Sequence, residues 1–270
     1  MNELFLLALA MLGTGLVGGL MAGVLGVGGG VVIVPMLEFA LGVIGVDASI
    51  RMHIAVATSL ATIIPTSIAS SRAHYRRGGV DLVIARRWAP WILLGSLAGT
   101  WVASQVDSRV LAILFACLAV LVAMRMMLNI RTRPLTQSVP TSPALAPVPA
   151  LIGFVSAMIG IGGGSLTVPT MSLMGEPIHR AVGTAALFGL VIAVPGTLGF
   201  MATGYGNPLL PAGSIGFVNG LGFALIAPTT VFAAPFGARL AHAMNQRQLS
   251  LIFGVFLLLV SVRMLVRALA

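Results

Sequence analysis

The sequence predicts an all-α, polytopic membrane protein made of two inverted repeats. Each repeat is a glycine-rich re-entrant or broken helix pair followed by three transmembrane helices. Three observations predict this. Of the 270 residues, 58% are hydrophobic and only 8% charged, where a soluble domain carries about a quarter charged residues; mean hydropathy is +1.07. Apolar runs of spanning length recur at 4–25, 54–70, 88–104, 109–130, 181–202, 214–236 and 249–267. A glycine-rich turn occurs twice, as Gly26-Val27-Gly28-Gly29-Gly30 running into Val34-Pro35 and as Gly160-Ile161-Gly162-Gly163-Gly164 running into Val168-Pro169.

The elements follow in order. Segment A (4–25) reaches the first glycine turn, which no stable helix survives, because glycine costs roughly 1 kcal/mol per position against alanine. Segment B (31–44) leaves it, and segments C (51–71), D (88–104) and E (109–130) are full spans. Thr132 to Pro149 is rich in Pro, Ser and Thr and reads as a flexible cytoplasmic linker. The second set is A′ (147–159), B′ (165–174), C′ (179–202), D′ (214–236) and E′ (249–267). A′ and B′ are too short to cross about 30 Å of hydrocarbon and read as a re-entrant hairpin. Residues 1–130 and 149–270 are thus two transmembrane repeats joined by a linker at 131–148. The N-terminus carries Glu3 in place of a basic region, and its apolar stretch continues into the glycine motif, unlike a cleaved signal.

The repeats align by subtraction. An offset of 134 superposes the glycine turns and Pro35 on Pro169. An offset of 126 puts His53 on His179 and Ala55-Val56-Ala57-Thr58 on Ala181-Val182-Gly183-Thr184. An offset of 138 puts Pro90 on Pro228, Gly99 on Gly237, and Leu111, Phe115, Arg125 and Met126 on Leu249, Phe253, Arg263 and Met264. With the hairpin counted as zero or two crossings, each repeat crosses an odd number of times, so the second is inverted relative to the first.

The arginines agree with inversion. All 15 basic residues are arginine, and they lie mostly in short loops and at helix ends rather than on a nucleic-acid-binding face. The first C–D loop carries Arg72, Arg76, Arg77, Arg86 and Arg87, whereas its counterpart, Thr203 to Gly213, carries none. Asp107 offsets Arg109 in the first D–E loop, while Arg239 and Arg247 stand without an acid in the second. The positive-inside rule then places 72–87, 131–146 and 238–248 in the cytoplasm and both termini outside. Arg263 and Arg267 conflict with that placement unless they snorkel. Cys117 is a single thiol in an apolar helix, a packing residue that says nothing about redox compartment.

Broken backbone at membrane depth is tolerated only where protein buries it or where it lines a cavity, and paired breaks near the midplane are the layout of a secondary transporter. The candidate substrate site is therefore Gly28, Gly29, Gly30, Gly162, Gly163 and Gly164, with Thr58, Ser59, Thr62 and Thr184 on segments C and C′. The first N–H groups of B and B′ lack intrahelical partners and suit an oxyanion. Close helix packing is the competing explanation, although a packing face spaces its small residues by four. For the hydroxyls, the competing explanation is a bond back to the preceding turn. His53 and His179 are candidates for proton coupling, or else polar residues at helix starts; Arg51 and Arg180 beside them attract anions to a vestibule or are interface charges. Glu38, Asp47 and Glu176 can each reach an interface and are assigned no coupling role. His74 and Asp81 sit in the basic loop. No catalytic pair, metal-ligand spacing, nucleotide-binding loop or cofactor motif is found, so no enzyme, metal or cofactor is expected.

The quoted motifs, together with Ala22-Gly23-Val24-Leu25, Ala57-Thr58-Ser59-Leu60, the stretch from His74 to Asp81 and Gly237-Ala238-Arg239-Leu240-Ala241-His242, resemble the TauE/SafE family of membrane permeases over roughly 12–267. The resemblance implies export of sulfite or a small organosulfonate across a bacterial inner membrane by alternating access, with the bilayer and a small anion as partners. Proton or other ion coupling and the oligomeric state stay open. One departure is Ala185 after Thr184, where the family commonly has serine. The rival reading is a membrane sensor or assembly partner that binds an anion without moving it. An intramembrane enzyme would need paired acids or a nucleophile beside a base, and neither is present at membrane depth.

Overall fold

The computed structural model describes residues 2–25, 29–128, 139, 145–243 and 246–269. Gly28 and most of the expected linker fall outside them. Among the described residues the chain forms α1 (Asn2–Leu25), α2 (Gly30–Val43), α3 (Ala48–Arg76), α4 (Leu82–Gln105), α5 (Ser108–Leu128), α6 (Pro147–Ile159), α7 (Gly164–Leu173), α8 (Ile178–Thr203), β1 (Ser214–Ile215), β2 (Val218–Asn219), α9 (Gly220–Ala243) and α10 (Gln246–Leu269).

Local chemistry sets the boundaries. The Asp47 carboxylate accepts from the Ser49 N–H at 2.8 Å and starts α3, and Asp81 accepts from the Val83 and Ile84 N–H groups and starts α4. Ser49, through its N–H and hydroxyl, holds the Asp47 carboxyl below the usual carboxylate range. Gly29 opens α2 with φ 68° and Gly160 closes α6 with φ 69°, a left-handed backbone that side chains resist. With 13 and 10 residues, α6 and α7 reach about 20 and 15 Å, short of the roughly 30 Å of hydrocarbon. By contrast α3, α5, α8 and Leu251–Leu269 of α10 are long and apolar enough to cross.

The core centres on α3, where every residue from 52 to 63 is buried. Apolar side chains such as Trp101, Leu121, Leu198, Phe232 and Leu259 stand exposed on α4, α5, α8, α9 and α10, as a lipid-facing surface requires. The packing is reciprocal: α1 lies on α9 and α6 on α4, while α3 packs on α8 and α5 on α10. Glycine permits the first two contacts. On α1, Gly15 and Gly19 meet the Ile226 and Thr230 carbonyls; on α4, Gly95 and Gly99 meet those of Ala150 and Phe154. These pairs have the spacing of four that the glycine turns lack. α3 and α8 run antiparallel, since Gly183 meets His74, Gly189 meets Ser67 and Ile63, and Gly196 meets Leu60.

Several boundaries differ from expectation. D begins at Leu82, six residues early, and C runs five residues on to Arg76, so Arg86 and Arg87 lie on the first turns of α4, and Arg72, His74 and Arg76 on the last turns of α3. Only Arg77 of that arginine group lies between the helices. D′ does not start at 214. Residues 214–219 form a two-stranded antiparallel ribbon, and α9 begins at Gly220. Gly213 and Gly216, at φ 80° and 54°, turn the ribbon, and its apolar letters mimic a helical run because Phe217 and Val218 are buried inward.

Candidate functional site

Gly30, at the described end of the first glycine turn, meets the second turn beside the middle of α3. A β-carbon on Gly30 would stand 2.7 Å from the Gly160 carbonyl oxygen, 3.1 Å from Ile63 and 3.2 Å from the Ile161 α-carbon. That same Gly160 carbonyl accepts a 2.8 Å hydrogen bond from Ser59 Oγ. Gly29 accepts from the N–H groups of Val32 and Ile33 at 2.9 Å. Gly162 faces Ile63, and Gly163 faces the Ala185 carbonyl and the Gly189 N–H on α8. Gly164 is the first residue of α7. Gly29, Gly30, Ser59 and Gly160 to Gly164 are thus brought together from four helices, and the chain departs from helix on both sides of the meeting point.

Three further residues belong to this neighbourhood. The hydroxyls of Ser156, Ser165 and Thr167 are buried without a hydrogen-bond partner. Ser156 lies one turn before Gly160, and Ser165 and Thr167 lie in the first turn of α7. An unsatisfied buried hydroxyl costs about 1–3 kcal/mol. Polar letters beside a glycine break in an apolar run are the signal that would have found them.

The threonines play different parts. Thr62 donates to the Ser59 carbonyl at 2.7 Å, and Thr66 donates to the carbonyls of Thr62 and Ile63. Thr58 Oγ1 accepts from the Asn219 N–H at 3.0 Å, and Thr184 Oγ1 accepts from the Asp81 N–H at 2.9 Å. Asn219 and Asp81 are the residues before α9 and α4, and each caps its helix with a side-chain oxygen. Each threonine therefore pins the start of a helix from the other half of the chain. The Asp81 latch is reinforced by Arg180, whose Nη2 lies 2.6 Å from Asp81 Oδ2 and whose Nε lies 3.4 Å from Glu176 Oε1. Thr184→Val is expected to lower the thermal midpoint in detergent by several degrees, since it leaves the Asp81 N–H unpaired at a cost of about 1–3 kcal/mol. An unchanged midpoint would show the latch to be idle.

Burial, with Arg180 opposing and Asp81 assisting, holds the Glu176 carboxyl above its ordinary range. The folded chain therefore binds that proton more tightly than the unfolded chain. Its contribution to stability grows as pH falls from neutral toward the ordinary carboxylate range of about 4.3. Glu176→Gln is expected to flatten this part of the melting-temperature profile against pH; a parallel profile would refute it.

The histidines and arginines do not join the glycine turns. His53 is buried, stacks on Phe217 with ring centroids 5.0 Å apart, and has Nε2 3.1 Å from both the Ala103 and Val106 carbonyls. His179 is exposed near the opposite end of α3, where its carbonyl meets Gly79. Arg51 donates to the Val46 carbonyl and lies 3.6 Å from Glu38. Among the described residues no group of three or more His, Cys, Asp or Glu side chains could hold a metal ion.

An apolar helical body with a lipid-facing exterior is that of a multi-pass membrane protein, and its family and relatives make it a membrane transporter of the cell membrane. The chain belongs to the sulfite exporter TauE/SafE family, whose model matches residues 11–264. It is 33% identical over 266 residues to a probable membrane transporter protein of Haemophilus influenzae, covering 98% of this chain and 100% of the relative. It is 26% identical to the probable membrane transporter protein YunE of Bacillus subtilis, over 93% of this chain and 94% of the relative. A probable membrane transporter protein of Methanocaldococcus jannaschii is 24% identical, over 91% and 89%. No solved structure matches the chain.

Proposed function

We propose that this transporter exports a small sulfur-containing anion, sulfite or an organosulfonate, by alternating access, and that it catalyses no chemical step. The substrate is held where the two glycine turns meet, between two halves of opposite orientation. The observation that carries this reading is the approach of Gly30 to the Gly160 carbonyl, closer than any side chain would permit. The antiparallel course of α3 and α8 and the reciprocal pairing of α1 with α9 and α6 with α4 support the inverted repeat. The N-terminal dipole ends of α2 and α7, with the hydroxyls of Ser165 and Thr167, supply favourable partners to an oxyanion. An inside-negative potential favours expulsion of a monoanion by about 2.3 kcal/mol per 100 mV, so export requires no nucleotide and no coupled ion.

Uptake into inside-out proteoliposomes tests the reading. Sulfite or sulfoacetate is expected to enter saturably. Gly163→Val, which would press on α8, is expected to reduce flux at least tenfold. Failure of every sulfur oxyanion to move, or full flux through Gly163→Val, would overturn it; saturable binding without flux would instead mark a sensor. Thr167→Val adds a sharper signature. Removing an unpartnered hydroxyl is expected to leave the thermal midpoint equal or higher while flux falls, whereas a purely structural threonine would lose stability.

A further inference from the structure

At the end of α3 opposite Arg72, Arg76 and Arg77, a cavity of about 520 Å³ opens between the end of α2, the first turns of α3 and α5, and the last turns of α10. Arg51, Arg109 and Arg267 line it with a single carboxylate, Glu38. Arg51 divides itself between Glu38, at 3.6 Å, and the Val46 carbonyl. Arg109 spends Nη2 on the Leu269 carbonyl at 3.0 Å. Arg267 makes no hydrogen bond or ion pair among the described residues. Yet Nη1 of Arg51 and Nη1 of Arg267 both point at Gly42, 3.1 and 3.5 Å from where its β-carbon would be. The absence of a side chain at Gly42 is what lets both guanidiniums approach the same point.

Like charges converge at such range only at an electrostatic cost, which grows as water is excluded. A cation near a helix C-terminus is favourable by itself, which accounts for Arg267 on α10 but not for the gathering of Arg51 and Arg109 around the same space. One carboxylate does not neutralise three guanidiniums. The N-terminal turns of α3 and α5 add their positive dipole ends, and Ser108 at the start of α5 is already engaged with the Met52 N–H. Among the described lining residues negative charge is what the cavity lacks, and its volume admits a tetrahedral oxyanion with room beyond.

We propose that this cavity is a second anion site, in which Arg51, Arg109 and Arg267 bind a sulfonate, sulfate or phosphate group. Guanidinium forks match such oxygens in pairs. The group can belong to a free anion or to the headgroup of an anionic lipid, since the cavity lies at helix ends. The site does not rest on the glycine turns: Gly163→Val, whatever it does to flux, is expected to leave this binding unchanged.

Titration of the purified full-length chain in neutral detergent, read by thermal unfolding at matched ionic strength, tests it. The probes are sulfate and short-chain phosphatidylglycerol, with chloride and short-chain phosphatidylcholine as controls. At least one probe is expected to stabilise the wild type saturably. Arg109→Gln and Arg267→Gln are each expected to weaken that binding at least tenfold, and Glu38→Gln to tighten it severalfold. Saturation by sulfate that the lipid does not improve assigns the site to a free anion. At least tenfold preference for phosphatidylglycerol over sulfate, with no response to phosphatidylcholine, assigns it to a headgroup. No saturable response in the wild type, or wild-type affinity in both arginine variants, overturns the proposal. Should the arginine variants fail to fold, Glu38→Gln alone decides: equal or weaker binding overturns it.

Discussion

Valine in place of Gly160 is expected to leave little folded protein and no transport. Two costs combine at this position. The backbone is held at φ 69°, where a β-branched residue incurs on the order of 1–3 kcal/mol of strain. A β-carbon would also stand 2.8 Å from the Val56 α-carbon and 3.0 Å from its carbonyl. Those are backbone atoms of the most buried stretch of α3, so they cannot turn aside as a flexible side chain would. Overpacking of this kind adds about 1–3 kcal/mol, and the total is a large part of the 5–15 kcal/mol typical of a folded domain. The comparison is Gly45→Val, at φ 78° with nothing within 4 Å, which meets the strain alone. Recovery of monodisperse protein and thermal midpoints measure both. Equal behaviour of the two variants would show that the turns are not tightly juxtaposed.

Leucine at Gly99 is expected to be nearly as damaging, through a different contact. Gly95 and Gly99 let α4 lie against the carbonyls of Ala150 and Phe154 on α6, and Gly153 does the same toward Ile92 from the other side. Membrane helices associate through close van der Waals contact rather than through expulsion of water. Pushing this crossing apart forfeits the contact along the whole interface. Because α6 carries Gly160 at its end, the displacement reaches the candidate site as well. Gly99→Leu is expected to lower the thermal midpoint by ten degrees or more and to abolish flux. Gly13→Leu, in α1 with nothing within 4 Å of its β-carbon position, is expected to change neither. A Gly99→Leu protein that melts with the wild type would refute the interface.

Much of this was legible in the residue order. Consecutive glycines cannot continue a helix, so Gly29 and Gly160 were readable as breaks, and their double occurrence as a pair. The short reach of α6 and α7 followed from counting residues. The ribbon at 214–219 was not legible, because Phe217 and Val218 carry the same letters whether they face lipid on a helix or turn inward on a ribbon. Nor were the roles of Thr58 and Thr184. A hydroxyl in an apolar helix has several available partners, and which one it takes depends on what packs against it; here that is a helix start more than 100 residues away.

Residue order by itself determined the membrane medium, the helical class and the places where the backbone must break, because composition and local stereochemistry act within one turn of chain. Tertiary structure alone decided that Gly30 abuts Gly160, and that Arg51, Arg109 and Arg267, from three separate helices, surround one cavity. Such meetings are set by how helices cross, and crossing depends on the shapes of two surfaces at once, which neither stretch of sequence contains.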